Sequence, residues 1–168
     1  SYSNETPLGF PVDQNEIAWG VPDAVLMPNG LVRVYWVYTE DKTSDEKLVS
    51  ATSKTTKGVE FVMDPGYRLE NGYVDFEVIK AEEGDWKALM SYTPHYMPEI
   101  PQSLFYATSK DGLNWDLIEE RITPKGYSYF DPTAIPIDDK NYLVVGSSAP
   151  NTMGDREHIL FTAELILP

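Results

Sequence analysis

The chain contains no cysteine, so neither disulfides nor thiolate metal sites are available to it. Histidine is nearly as scarce: His95 and His158 are too few and too far apart in sequence to suggest a zinc site. Positive charge is also in short supply. Against 27 acidic residues stand 13 basic ones, a formal charge of −14 whose field repels phosphate backbones and anionic membrane surfaces, so nucleic acid and membrane are not expected partners. No apolar run approaches the ~20 residues that span a bilayer. The amino terminus, SYSNETPLGF, lacks the basic and apolar regions of a secretion signal, which fits a secreted or periplasmic chain whose signal has been removed. A sustained helical apolar period is missing as well.

What the sequence does have is short strands separated by turn signals. Its 168 residues, 42% of them hydrophobic, suffice for one domain with a real core. In the stretch WGVPDAVLMPNGLVRVYWVY, from Trp19 to Tyr38, an aromatic residue precedes Asp23 and an apolar strand. A Pro-Asn-Gly turn and a second strand rich in Val, Tyr and Trp complete a β-hairpin signal. The pattern returns twice. Trp19, Tyr73 and Tyr127 each stand four residues before a carboxylate, and those carboxylates, Asp23, Glu77 and Asp131, are spaced by 54 and 54. Leu48-Val49-Ser50-Ala51, Leu104-Phe105-Tyr106-Ala107 and Leu160-Phe161-Thr162-Ala163 are spaced by 56 and 56.

Four strands per repeat of this length predict an all-β fold, a β-propeller of three four-stranded blades. The repeats divide the single domain into blade 1 (19–72), blade 2 (73–126) and blade 3 (127–168), the last one strand short. Residues 1–18 carry the apolar piece PLGFPV, and one repeat length back from residues 61–63 lies Pro7–Gly9. PLGFPV is therefore expected to be the fourth strand of a third-repeat blade. Three blades do not surround an axis, since propellers use ~4 to 8. A homodimer exchanging its amino-terminal strands would give six blades; the alternative is a part of a longer, five-bladed propeller.

First strands of propeller blades line the central channel, so Asp23, Glu77 and Asp131 are expected around an acidic funnel, with Asp75 as the true counterpart if the alignment slips by two. Converging carboxylates suit glycoside hydrolysis, in which one stays protonated to serve the leaving oxygen while another activates water or attacks. The competing reading is structural: carboxylates at strand starts bond backbone N–H groups and hold the repeat in register. Trp19, Tyr73 and Tyr127, with Tyr129 nearby, would form an aromatic collar for sugar faces or pack between blades. The long loop around His95 and Tyr96 is a further candidate for ligand contact. Arg33, with Lys87 and Asn141 at the aligned positions, either contacts substrate or pairs with a carboxylate at the surface.

Ser109-Lys110-Asp111-Gly112-Leu113-Asn114-Trp115 resembles the S-x-D-G-x-x-W turn, related to the Asp box, of sialidases and of arabinanase, xylosidase and fructosidase glycoside hydrolases, where it stabilises a turn. Thr52 to Phe61 is similar to a degenerate copy. Phe130-Asp131-Pro132, followed by Asp138-Asp139 and Tyr142-Leu143, resembles the Asp-Pro hairpin of the arabinanase-type enzymes, and Val21-Pro22-Asp23-Ala24 resembles another of their first strands. The resemblance covers essentially the whole chain and implies Asp23 as general base, Glu77 as general acid and Asp131 as pKa modulator. Those enzymes are five-bladed and usually meet their acid Glu after both Asp residues, whereas Glu77 lies between them here. Six carboxylates in a dimer's channel could not all ionise without cations, so calcium is a possible occupant, although no cofactor is required. The expected partner is a neutral carbohydrate, and the expected function is a carbohydrate-active, glycoside hydrolase-like propeller. The alternative is a non-catalytic sugar-binding or assembly module.

Overall fold

The computed structural model describes residues 17–40, 45–70, 72–92, 102–124, 126–150 and 158–167, the side chains of 17–19 and 73 excepted. PLGFPV lies outside the described residues. Among those described there is no helix, and eleven strands form three antiparallel sheets. Sheet 1 contains β1 (Ile17–Leu26), β2 (Val32–Thr39), β3 (Lys47–Ser53) and β4 (Phe61–Met63) in that order. Sheet 2 repeats the meander with β5 (Tyr73–Glu82), β6 (Asp85–Tyr92), β7 (Ser103–Ser109) and β8 (Trp115–Ile118). Sheet 3 has β9 (Tyr127–Pro136), β10 (Asn141–Pro150) and β11 (Ile159–Ile166).

Local chemistry sets the hairpins. At Pro28-Asn29-Gly30 the Asn29 side chain accepts the Leu31 N–H at 3.0 Å, and Gly30 takes a φ of +80°, a backbone conformation that costs glycine little. Along β2 the side chains alternate, with Arg33, Tyr35, Val37 and Thr39 buried, as expected of a strand with one covered face.

Two cores account for the stacking. Between sheets 1 and 2 lie Val25, Tyr35, Leu48, Phe76, Trp86, Met90 and Trp115. Phe76 and Trp115 meet edge to face at 5.2 Å, a geometry that adds roughly 0.5–1.5 kcal/mol to area burial. Between sheets 2 and 3 lie Ile79, Leu89, Leu104, Tyr106, Tyr142 and Val144. Sheet 2 is thus covered on both faces, which explains why its ALMSY and SLFYA segments read as near-continuous apolar runs. The first strands are neighbours across the sheets, β5 packing against both β1 and β9.

One detail of register revises the repeat. β1 and β9 carry the same bulge: Gly20 and Asp23 oppose Val37 and Tyr35, and Phe130 and Thr133 oppose Ser147 and Val145. At this bulge β1 and β9 each carry one residue more than the strand they pair with. Aligned on the bulge, Val21-Pro22-Asp23 matches Asp131-Pro132-Thr133. The 54-residue spacing of the carboxylates is offset by two from the structural repeat in the third sheet.

Candidate functional site

The carboxylates on the first strands occupy two seams. In the first, Asp23 of β1 accepts the backbone N–H of Val78 on β5 at 2.8 Å. Burial pushes its carboxyl above the ordinary value, against the lowering effect of N–H bonds from Val78 and Ala24. Glu77, the residue beside Val78, faces Asp23 electrostatically but takes its hydrogen bond across the second seam, from the Thr133 hydroxyl of β9 at 2.9 Å. Its pKa is raised by burial first and by the nearby Asp23 charge second, with the Thr133 bond opposing both. Removing water raises the cost of ionisation, and a charged neighbour raises it again.

In the second seam Asp75 is 5% exposed, and its Oδ2 accepts the Asp131 N–H at 3.0 Å. Burial and the Asp131 charge raise its pKa, while the Asp131 N–H and Ser91 lower it. Ser91 also ties the strands together: its hydroxyl donates to the Tyr129 carbonyl at 2.6 Å and accepts from the Gln102 amide at 2.6 Å. Asp131 itself is exposed and has a φ of +48°, the left-handed region, immediately before Pro132. Val21, its counterpart in β1, has a φ of +49°. A non-glycine residue there is uncommon, more so for a β-branched one or before proline, and such strain clusters at functional sites.

The remaining residues singled out in the sequence fall in different places. Tyr127 is 45% exposed at the start of β9, on the same end as the carboxylates, whereas Tyr129 is half-buried, edge-on to Phe161 at 5.4 Å. Trp19 is the third residue of β1 and Tyr73 the first of β5, and their side chains lie outside the described residues, as do His95 and Tyr96 entirely. Arg33 is buried, so its ion pair with Asp64 at 3.3 Å is an interior one and not a surface pair. Its Nη1 donates to the Asp111 carbonyl at 2.7 Å, which clasps sheet 1 to the β7–β8 turn of sheet 2.

That turn is built by Asp111. Its carboxylate accepts the Leu113 and Asn114 N–H groups at 2.8 and 2.9 Å, and Gly112 passes under Tyr35, whose hydroxyl donates to the Gly112 carbonyl at 2.7 Å. Partial burial pushes the Asp111 pKa up, but the hydrogen bonds outweigh it and hold the group at about 2.

Thr133 and His158 escaped the sequence reading. The His158 ring stacks on Phe130 at 5.0 Å and 28°, one residue from Asp131. Thr133 could have been found from the Val21-Pro22-Asp23 match to Asp131-Pro132-Thr133; His158 has no counterpart in the repeat. A cavity of about 430 Å³ between sheets 2 and 3, lined by Lys80, Glu82, Pro136, Asp138 and Tyr142, lies at the opposite end of the inner strands from these acids. Among the described residues no group of three or more His, Asp or Glu is placed to hold a metal ion.

No protein-family model matches the chain, and no curated protein matches it either. Solved structures do. Zg3597, a family 117 glycoside hydrolase produced by the marine bacterium Zobellia galactanivorans, is 9% identical with a TM-score of 0.61, over 90% of this chain and 52% of its own. The GH32 β-fructofuranosidase BmSUC1 of Bombyx mori is 14% identical with a TM-score of 0.66, over 91% and 35%. The β-1,2-mannobiose phosphorylase of Listeria innocua is 14% identical with a TM-score of 0.61, over 94% and 60%. The chain therefore has a glycoside hydrolase-like, propeller-like fold, and spans 35% to 60% of the length of these structures.

Proposed function

We propose that this chain contributes to a carbohydrate-active, glycoside hydrolase-like propeller that acts on a neutral glycan at the carboxylates of its inner strands. The observation that carries this reading is the unequal pair in the first seam. Burial raises both carboxyls, and the Asp23 charge adds a second raising effect on Glu77, which favours Glu77 as the proton-holding member of the pair. An ionised carboxylate beside a protonated one is the division of labour that glycoside hydrolysis requires. Asp23 is then the base, Glu77 the acid and Asp131 the modulator, with Tyr127 at the rim for stacking on a sugar face.

The expected outcome with aryl glycosides is turnover by the wild type, with kcat/KM lowered at least 100-fold by Asp23→Asn, Glu77→Gln and Asp131→Asn. Both Asn variants retain a side-chain oxygen that can accept a hydrogen bond, so a loss of fold is not expected from them. No turnover by any protein, or turnover indifferent to all three changes, defeats the reading.

A second reading is a non-catalytic sugar-binding or assembly module. It is favoured by the fact that Asp23, Asp75 and Glu77 each already accept a hydrogen bond from the next inner strand. Glycan-array binding that survives the three substitutions and is lost on changing Trp19, Tyr73 or Tyr127 supports it. The ring is completed either by a second copy, giving six blades, or by further blades of a five-bladed propeller.

A further inference from the structure

The bulge shared by β1 and β9 leaves two residues of each strand without a paired partner; in β9 these are Asp131 and Pro132, of which only Asp131 has an N–H to satisfy. An extra residue at a bulge has no cross-strand partner for its N–H, and a buried or half-buried N–H without an acceptor costs about 1–3 kcal/mol. The acceptor for Asp131 comes from another sheet. Asp75, 56 residues earlier and 5% exposed, meets the Asp131 N–H at 3.0 Å.

The surroundings of Asp75 show a built contact. Ser91, fully buried, lies against it and bonds the Tyr129 carbonyl, while the Tyr129 N–H donates to the Gln102 carbonyl at 2.9 Å. The β9 backbone is therefore gripped at Tyr129 and at Asp131, on either side of Phe130. Between those grips and the buried Pro132 ring the chain takes the left-handed turn at Asp131. A bulge re-aims the side chain it carries. Here that side chain is a carboxylate.

We propose that Asp75 is a positioning residue: by holding the Asp131 N–H it fixes the left-handed bulge and so sets where the Asp131 carboxyl points in the carboxylate row. This rests on the reading of Asp131 as a functional group given above. Asp75 itself is too buried to meet a glycan, which separates it from Asp23, Glu77 and Asp131.

The test uses the full chain and three variants. Asp75→Asn keeps an acceptor oxygen, Asp75→Ala removes it, and Ser91→Ala loosens the neighbouring grip while leaving Asp75 in place. Hydrogen exchange of the Asp131 amide, read by NMR, is expected to accelerate at least 100-fold in Asp75→Ala and less than 10-fold in Asp75→Asn, with the Val78 amide unchanged. On aryl glycosides Asp75→Ala is expected to lower kcat with KM within twofold of wild type, and Asp75→Asn to recover most of it. Equal exchange at Asp131 in all variants overturns the proposal, as does an Asn variant as impaired as Ala.

Should Asp75→Ala fail to fold, the wild type alone decides. Its Asp131 amide proton shift must follow the titration of the Asp75 carboxyl, and a flat shift overturns the assignment. Released exchange in Asp75→Ala combined with no turnover by any protein removes the enzymatic reading but leaves the positioning contact standing.

Discussion

Gly112 shows how tightly single residues are constrained at the seam between sheets 1 and 2. A Cβ built there would lie 2.7 Å from the Tyr35 hydroxyl and 2.8 Å from both Arg33 Nη1 and Trp86 Cε3, and its φ is +69°. Gly112→Ala combines left-handed strain with overpacking, so urea denaturation is expected to show a loss of about 2–5 kcal/mol. Trp115→Ala opens the core where Phe76 and Tyr35 meet the indole and is expected to cost about 3–5 kcal/mol. The residues of this turn were legible from sequence because their bonds are local: Ser109, Asp111, Gly112 and Asn114 satisfy one another within a few positions. The Asp23 to Val78 and Asp75 to Asp131 bonds were not, because they span 55 and 56 residues and depend on how sheets stack.

At the scale of elements, inner strands and turns respond to pH in opposite directions. Asp23, Asp75 and Glu77 have raised folded-state values, so the folded chain binds more protons than the unfolded one above about pH 4, and their contribution to stability falls as pH rises through that window. Asp111 does the reverse: its low value contributes stability above the unfolded value near 4, lost as pH falls through about 2. Thermal melts are thus expected to show Tm falling as pH rises above about 4, with the slope reduced in Asp75→Asn. A Tm that rises steadily from pH 5 to pH 8 would contradict the assignment of these groups. The hairpins and the four-strand meander were readable from turn residues and period-2 alternation. The two-residue offset in β9 was legible only as an alternative, Asp75 as counterpart on a two-residue slip, because the carboxylates repeat at 54 residues and the third strands at 56.

For the molecule as a whole, the outer faces of sheets 1 and 3 differ from the covered ones. Leu26 is 69% exposed on β1, and Leu160 and Ile166 are 83% and 70% exposed on β11. Apolar exposure of this size at both ends of a stack of sheets marks surface suited to another layer. Size-exclusion chromatography with light scattering is expected to show a dimer if a second copy supplies that layer, and a monodisperse, well-folded monomer excludes the six-bladed arrangement. The recurring strand and turn pattern foretold the all-β fold; which faces end uncovered emerges only once sheet order is known.

Sheet 2 has a neighbour on each face, and this sets the order in which the chain should come apart. Its central strands, β6 and β7, can exchange amide hydrogens only after sheet 1 or sheet 3 has left, whereas the outer sheets open on their own. Departure of sheet 1 breaks the Asp23 to Val78 bond, and departure of sheet 3 breaks the Asp75 to Asp131 bond. Either partial opening dismantles one half of the acidic row while the centre stays folded, so any activity should fade at lower denaturant than the protection of β6 and β7.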